Sequence, residues 1–183
     1  MRALPTPLDG PVLIEPRVHG DARGFFIETY RREAMAEAGI DVEFVQDNHS
    51  RSGRGVLRGL HLQLGGGQAK LVGCARGSIF DVVVDLRGDS PTYARWHAVE
   101  LDDVARQMLY VPVGFAHGFC VTSEVADVVY KCSSYYDPEL ERAIRYDDPR
   151  LGIEWPALDL EVSERDAAAP LLEEIEPELE FRI

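Results

Sequence analysis

Gly55-Val-Leu-Arg58-Gly-Leu-His61-Leu-Gln63, continued by Leu64-Gly-Gly-Gly-Gln-Ala-Lys70-Leu-Val-Gly-Cys-Ala-Arg-Gly77, is the stretch on which the fold turns. Apolar residues alternate with others between glycines, the pattern of a short half-buried strand, a tight connection and a second strand. Similar stretches follow at Ser78 to Leu86, Trp96 to Leu101, Gln107 to Val111, Gly118 to Thr122 and Ala126 to Ser133, each bounded by Gly, Pro, Asp or Ser. Many short strands at this spacing predict an antiparallel sandwich or barrel. Only Arg31 to Ala38 reads clearly as a helix, with a second short one after Ser163. The acidic segment Glu173 to Glu180, interrupted by Pro177, reads as a solvated tail or a packed surface extension.

A length of 183 residues predicts one domain with its own core, residues 1–183, with an acidic extension at about 171–183. The chain carries 19 basic and 32 acidic side chains, a formal charge of −13. Nucleic acid and anionic membranes need a basic footprint, so neither is expected as a partner. The excess is local: from Asp137 onward there are 15 acidic and 5 basic residues, which leaves 17 and 14 in the first 136. A small anion can therefore still be held by that nearly balanced part. Cys74, Cys120 and Cys132 form no C-x-x-C pair and are odd in number, which fits a reducing cytoplasm. Neither a leader-like opening nor an apolar run of membrane-spanning length is present in the sequence.

A second pattern, Pro112-Val-Gly114-Phe-Ala-His117, sets a turn proline and glycine just before a histidine. With Gly55 through Gln63 it resembles the two motifs of the cupin barrel, G-x5-H-x-H and P-x-G-x-x-H. Here Gln63 replaces the second histidine, and Lys70 stands near the place of an acidic ligand. A divalent ion takes imidazoles and carboxylates and is repelled by an ammonium, so neither a metal nor a cofactor is expected.

Ten segments in order carry a narrower resemblance: Asp21-x-Arg23-Gly-Phe25-x-x-Glu28, Gln46-Asp-Asn48-x-Ser50, Arg58-Gly-Leu-His61-x-Gln63, Asp81-Val-x-Val-Asp85-Leu-Arg87, Ser90-Pro-Thr92, Pro112-x-Gly114-Phe-Ala-His117, Tyr130-Lys131 with Tyr136, Asp148-Pro149, Trp155-Pro156 and Ser163-x-Arg165-Asp166. They are similar to the dTDP-4-dehydrorhamnose 3,5-epimerase family. The resemblance implies an all-β, cupin-type antiparallel jelly-roll barrel with a few short helices, and an isomerase that inverts C3 and C5 of dTDP-4-dehydro-6-deoxy-D-glucose. Such chemistry removes a proton α to a ketone and returns one on the other face, so it needs a base, an enolate stabiliser and an opposed acid.

By the same resemblance His61 is the base, Asp166 holds its other ring nitrogen, Lys70 meets the C4 oxygen and Tyr130 supplies the opposed proton. Arg23 and Arg58 fall to the pyrophosphate with Gln46 and Asn48 nearby. Phe25, Glu28 and Tyr136 fall to the nucleoside, and His117, Glu141 and Arg165 to further substrate contacts, Arg165 standing where relatives often carry Lys. Each has an ordinary rival: a strand histidine satisfied by hydrogen bonds, a packed tyrosine, a capping carboxylate. The family's homodimer implies that the N-terminal region, about residues 1–50, adds to the partner's sheet and site. Gly24 to Tyr30, a short half-apolar strand flanked by charge, is an edge that needs pairing. Inversion at C3 alone, ketoisomerisation of a related sugar, or sugar-nucleotide binding without catalysis are the competing outcomes.

Residue spacing raises one conflict. Arg58 and His61 are three apart, so an uninterrupted strand sends them to opposite faces. If both serve one site, Gly59 marks a bulge or twist, or Arg58 reaches in from the rim. Gln46 and Asn48 share parity and can face inward together.

Overall fold

The computed structural model describes all 183 residues. In chain order they form β1 (Arg2–Pro5), β2 (Val12–Glu15), β3 (Val18–Asp21), β4 (Gly24–Ile27), α1 (Arg32–Glu37), β5 (Gln46–Gly53), β6 (Val56–Gln63), β7 (Lys70–Arg76), β8 (Ser78–Asp85), β9 (Trp96–Asp102), β10 (Met108–Val111), β11 (Phe115–Val121), β12 (Val125–Cys132), β13 (Glu141–Ala143), β14 (Glu161–Val162), α2 (Glu164–Ala167), α3 (Leu172–Ile175) and a 3-10 turn at Glu176–Glu178. One sheet runs β1-β2-β10-β7-β12-β5 and the other β13-β6-β11-β8-β9, with β14 lying on β6. Every pairing is antiparallel except β14 on β6. This is the all-β jelly roll.

Strand alternation sorts the apolar residues into three layers. Val72, Cys74, Leu109 and Val128 from the first sheet meet Ile79, Val83, Phe115, Phe119 and Val121 from the second. On the outer face of the second sheet, Leu60, Leu62, Val82 and Val84 are covered by Ile144, Leu172, Ile175 and Phe181. Part of the first sheet's outer face is covered by α1 and the chain after it, through Met35 and Ile40 on Ile14, Leu71 and Met108. Each fully buried aliphatic side chain contributes roughly 1.5–3 kcal/mol, so these layers fix the strand faces.

Two buried carboxylates act as clamps. Asp85 holds the Arg87 guanidinium at 2.9 and 2.8 Å and accepts from Ser90 and Thr92, while Arg87 donates to the Asp9 carbonyl and lies over the Phe115 ring. Asp148 accepts backbone N–H groups from Arg150, Leu151 and Leu172, which ties α3 down.

Several boundaries move. β11 begins at Phe115, not Gly118, so His117 lies inside a fully buried strand. β1, β2 and β5 add to the strands expected, and the helix is shorter, Arg32–Glu37. The acidic C-terminal segment is packed, because Leu172, Ile175 and Phe181 are buried beneath it. No helix is long and apolar enough to cross a membrane.

Candidate active site

Gly59 resolves the parity conflict. Arg58 pairs with Phe119 and His61 with His117, so Gly59 and Leu60 together face the single Gly118, a bulge. Before it Val56 packs into the interior; after it Leu60 and Leu62 face outward, leaving His61 and Gln63 inward. Gly59 has φ +109, and a Cβ there would stand 2.7 Å from Gly118 Cα and His117 O. Only glycine allows that approach. The Gly59–Leu60 peptide is cis.

His61 meets a carboxylate delivered from the far end of the chain. β14 pairs with β6, and Ser163 then caps α2 by accepting the Asp166 N–H at 3.1 Å. Asp166 is 4% exposed; its Oδ1 lies 2.7 Å from His61 Nε2, and its Oδ2 accepts the Gly59 N–H at 3.2 Å. Burial pushes this carboxyl up, but the His61 hydrogen bond and charge, with Gly59 and Ser163, outweigh it and hold the group below its ordinary value. An anionic carboxylate can only accept, so Nε2 carries the proton that meets it, and in the neutral imidazole the lone pair falls to Nδ1.

The first sheet presents Lys70, Tyr130 and Cys132. Lys70 pairs with Cys132 in register, and Tyr130 shares their inward parity. The Lys70 ammonium has no hydrogen-bond partner within the chain, and burial lowers its pKa against the opposing charges of Cys132, Asp81 and Glu141. Burial raises the Tyr130 pKa, with Cys132 and Glu141 adding and Arg58 opposing, so the phenol keeps its proton at neutral pH. No group of three or more His, Cys, Asp or Glu side chains converges to hold a metal ion.

Most of the remaining candidates are tied to one another or to strand neighbours. Arg58 donates from Nε to Ser52 Oγ across the two sheets at 3.1 Å, and Gln46 donates to Asn48 at 3.2 Å. Tyr136 donates its hydroxyl to Glu141 Oε2 at 2.8 Å, and Arg165 pairs with the same oxygen. His117 lies inside, its Nε2 2.9 and 3.1 Å from the two oxygens of the fully buried Asp81. Arg23, Phe25 and Glu28 do not join this group within one chain. Arg23 is paired with Asp21, Glu28 with Arg31, and Phe25 lies on the outer face of the first sheet with Arg106 3.8 Å over its ring.

Sequence reasoning missed Asp81 as the partner of His117, because an Asp inside the Ser78-to-Leu86 strand carries no mark of the neighbouring strand it will face. Strand parity was the available signal: Asp81 lies two residues from each of Ile79 and Val83, which face the interior. Ser52 and Cys132, which also face the cavity, were likewise reachable by counting in twos from Asn48 and Tyr130.

A family model described as dTDP-4-dehydrorhamnose 3,5-epimerase matches residues 5–174. The dTDP-4-dehydrorhamnose 3,5-epimerase of Salmonella typhimurium is 48% identical over 177 residues, 95% of this chain and 97% of its own. A solved dTDP-6-deoxy-D-glucose-3,5-epimerase from Legionella pneumophila, in complex with dTDP-4-keto-L-rhamnose, superposes with a TM-score of 0.96 at 47% identity, covering 100% of this chain and 98% of that one. A 3'-monoepimerase from Streptomyces bikiniensis, in complex with dTDP-quinovose, gives 0.88 at 40% identity, over 94% and 89%. By family model, sequence and architecture alike, the chain belongs to the dTDP-4-dehydrorhamnose 3,5-epimerase family.

Proposed function

We propose that the protein inverts C3 and C5 of dTDP-4-dehydro-6-deoxy-D-glucose, giving dTDP-4-dehydro-L-rhamnose, without metal or cofactor. The carrying observation is His61 on one sheet, held by Asp166 from α2, with an unpartnered lysine and a protonated tyrosine on the inward face of the other. In this reading His61 Nδ1 takes the proton α to the C4 ketone, and Asp166 stabilises the imidazolium that forms. The Lys70 ammonium meets the C4 oxygen as it becomes an enolate, in a cavity where that charge interaction is little screened. Tyr130 protonates the opposite face. Arg58 takes the pyrophosphate with Gln46 and Asn48 beside it, while Tyr136, His117, Glu141 and Arg165 hold the rest of the substrate.

The same reading makes the protein a homodimer acting in the cytoplasm. β5 is a sheet edge, and the hairpin β3–β4, which pairs with neither main sheet, leaves Phe25 56% and Phe26 70% exposed. Pairing these across two copies covers both and carries Arg23, Phe25 and Glu28 to the partner's site. A monomer of full activity in sedimentation would sink that part. The three cysteines are buried and free, which suits a reducing compartment.

The reaction is tested with dTDP-4-keto-6-deoxyglucose in heavy water, read by NMR. Deuterium at C3 and C5 supports double inversion; at C3 alone it supports the monoepimerase reading that the Streptomyces neighbour brings. No label leaves a binding protein or another substrate.

A further inference from the structure

Gln63 occupies the place where a metal-binding cupin carries its second histidine, and its amide is fully engaged with a loop. Nε2 donates to Ser134 Oγ at 3.1 Å and to the Tyr135 carbonyl at 3.2 Å, while Oε1 accepts the Asp137 N–H at 3.1 Å. The side chain is nearly buried, at 9% exposure, and comes from the second sheet. From the first sheet Gln46 reaches the same loop, its Oε1 accepting the Tyr136 N–H at 2.9 Å. Gln68 donates to the Ser134 carbonyl, and Ser134 Oγ donates to the Gly67 carbonyl. The backbone on both sides of Tyr136 is thus clamped between the two sheets, although the Tyr136 side chain is itself exposed.

We infer that Gln63 is a positioning residue for nucleotide binding: it sets the loop that presents Tyr136 and touches neither the sugar nor the reacting atoms. This rests on the reading that Tyr136 contacts the nucleoside. A neutral amide suits the task because it offers two donors and an acceptor in one plane. A carboxylate at this position would turn an oxygen toward the Tyr135 carbonyl. A histidine could not meet the loop's donor and its two acceptors together. The residue that ends metal binding in this barrel is therefore the one that anchors its nucleoside contact.

The test compares Gln63→Met, close in volume and without the amide, with Tyr136→Ala and the unaltered chain. Affinities for dTDP and for inorganic pyrophosphate are measured by calorimetry, with kcat and KM alongside. For Gln63→Met the expected result is a dTDP dissociation constant and a KM raised about tenfold, equivalent to about 1.4 kcal/mol. Pyrophosphate affinity and kcat stay within about twofold, a split that a general loosening of the barrel would not produce. A fall in kcat at unchanged KM would place Gln63 at the sugar and overturn the inference. Equal losses for dTDP and pyrophosphate, or no loss, would overturn it too. If Tyr136→Ala leaves dTDP binding intact, the reading of Tyr136 fails and takes the inference with it. If Tyr136→Ala weakens dTDP binding and Gln63→Met does not, the inference alone fails.

Discussion

Asp166→Asn is the sharpest probe of the His61 assignment, because two donors compete for one side-chain oxygen. The carboxylate now serves His61 Nε2 at 2.7 Å and the Gly59 N–H at 3.2 Å with separate oxygens. An asparagine has one carbonyl oxygen and one NH2 group. If its oxygen stays on Gly59, the NH2 faces Nε2 and forces the proton to Nδ1, the nitrogen required as base. If its oxygen turns to Nε2, the NH2 meets the Gly59 N–H, donor against donor. The first arrangement keeps the bulge intact and removes the base; the second keeps the tautomer and leaves a buried donor unmade at about 1–3 kcal/mol.

In both arrangements the imidazolium also loses its anionic partner. A hydrogen bond to a charged group is worth about 1.5–3 kcal/mol, or about 10- to 150-fold in rate. The wrong tautomer adds to this, and the analogous change in a serine protease triad costs about ten-thousandfold. The expected kcat for Asp166→Asn is therefore at least about tenfold down, and further down where the wrong tautomer prevails, with KM little changed. The assay is the rate of deuterium entry at C3 and C5 from heavy water, with thermal melting to show that the barrel stays folded. Exchange above a third of the unaltered rate in a folded variant would refute the role of Asp166 and leave His61 without a fixed tautomer.

Four other outcomes follow from the same geometry. Tyr130→Phe should exchange substrate protons with solvent without forming product, since the base can still return a proton to the face it came from; product at the normal rate would remove Tyr130 as the acid. The proposed mechanism uses Lys70 as the ammonium, and burial lowers its pKa, so activity should fall on the alkaline side below the ordinary lysine value of 10.5; a Lys70→Gln variant should lose about 10²–10³ in kcat, and an unchanged rate would dismiss the enolate contact. Gly59→Ala brings a methyl within 2.7 Å of two backbone atoms at a positive φ and should cost about 3 kcal/mol, seen as a melting point roughly 6–12 °C lower; a neutral effect would contradict the bulge. Arg51 and its hydrogen bonds hold the Asp127 carboxyl down to about 2, from 3.8, so the stability from this pair is present above the unfolded value and lost as pH falls through the folded one. The melting difference between the unaltered chain and Arg51→Met should accordingly vanish toward pH 2, and one that persists there would show that packing, not charge, explains it.

Much of the candidate site was legible as motifs of a family resemblance, with strand parity to sort some of its faces. His61, Lys70 and Tyr130 were named through the family resemblance before their faces were known, and Gln46 with Asn48 could be placed together by counting in twos. The impossibility of Arg58 and His61 on one regular strand pointed at Gly59 directly. Less could be read where a residue's role depends on a partner distant in sequence. Asp81 becomes meaningful only when β8 lies beside β11, and Gln63 only when the loop after β12 closes over it. His117 was expected just outside a strand because Pro112 and Gly114 read as a turn, yet the strand begins at once with Phe115. In the C-terminal run the count of acids hid Leu172, Ile175 and Phe181, whose spacing among the carboxylates marks a packed face.

The His61–Asp166 pair spans 105 residues of chain, and its acidic half sits on a four-residue helix anchored by the two-residue strand β14 and the Ser163 cap. That separation decouples completion of the site from completion of the barrel. The strands that carry Lys70, Tyr130 and His61 pair with neighbours that all precede residue 144, apart from β14 on β6, so they can come together while the imidazole is still free to choose its tautomer. During refolding, enzymatic turnover should return later than the fluorescence change of the core, with a lag set by the docking of residues 161–167. Turnover that returned in step with the core would mean that the short C-terminal helix settles as fast as the strands it serves.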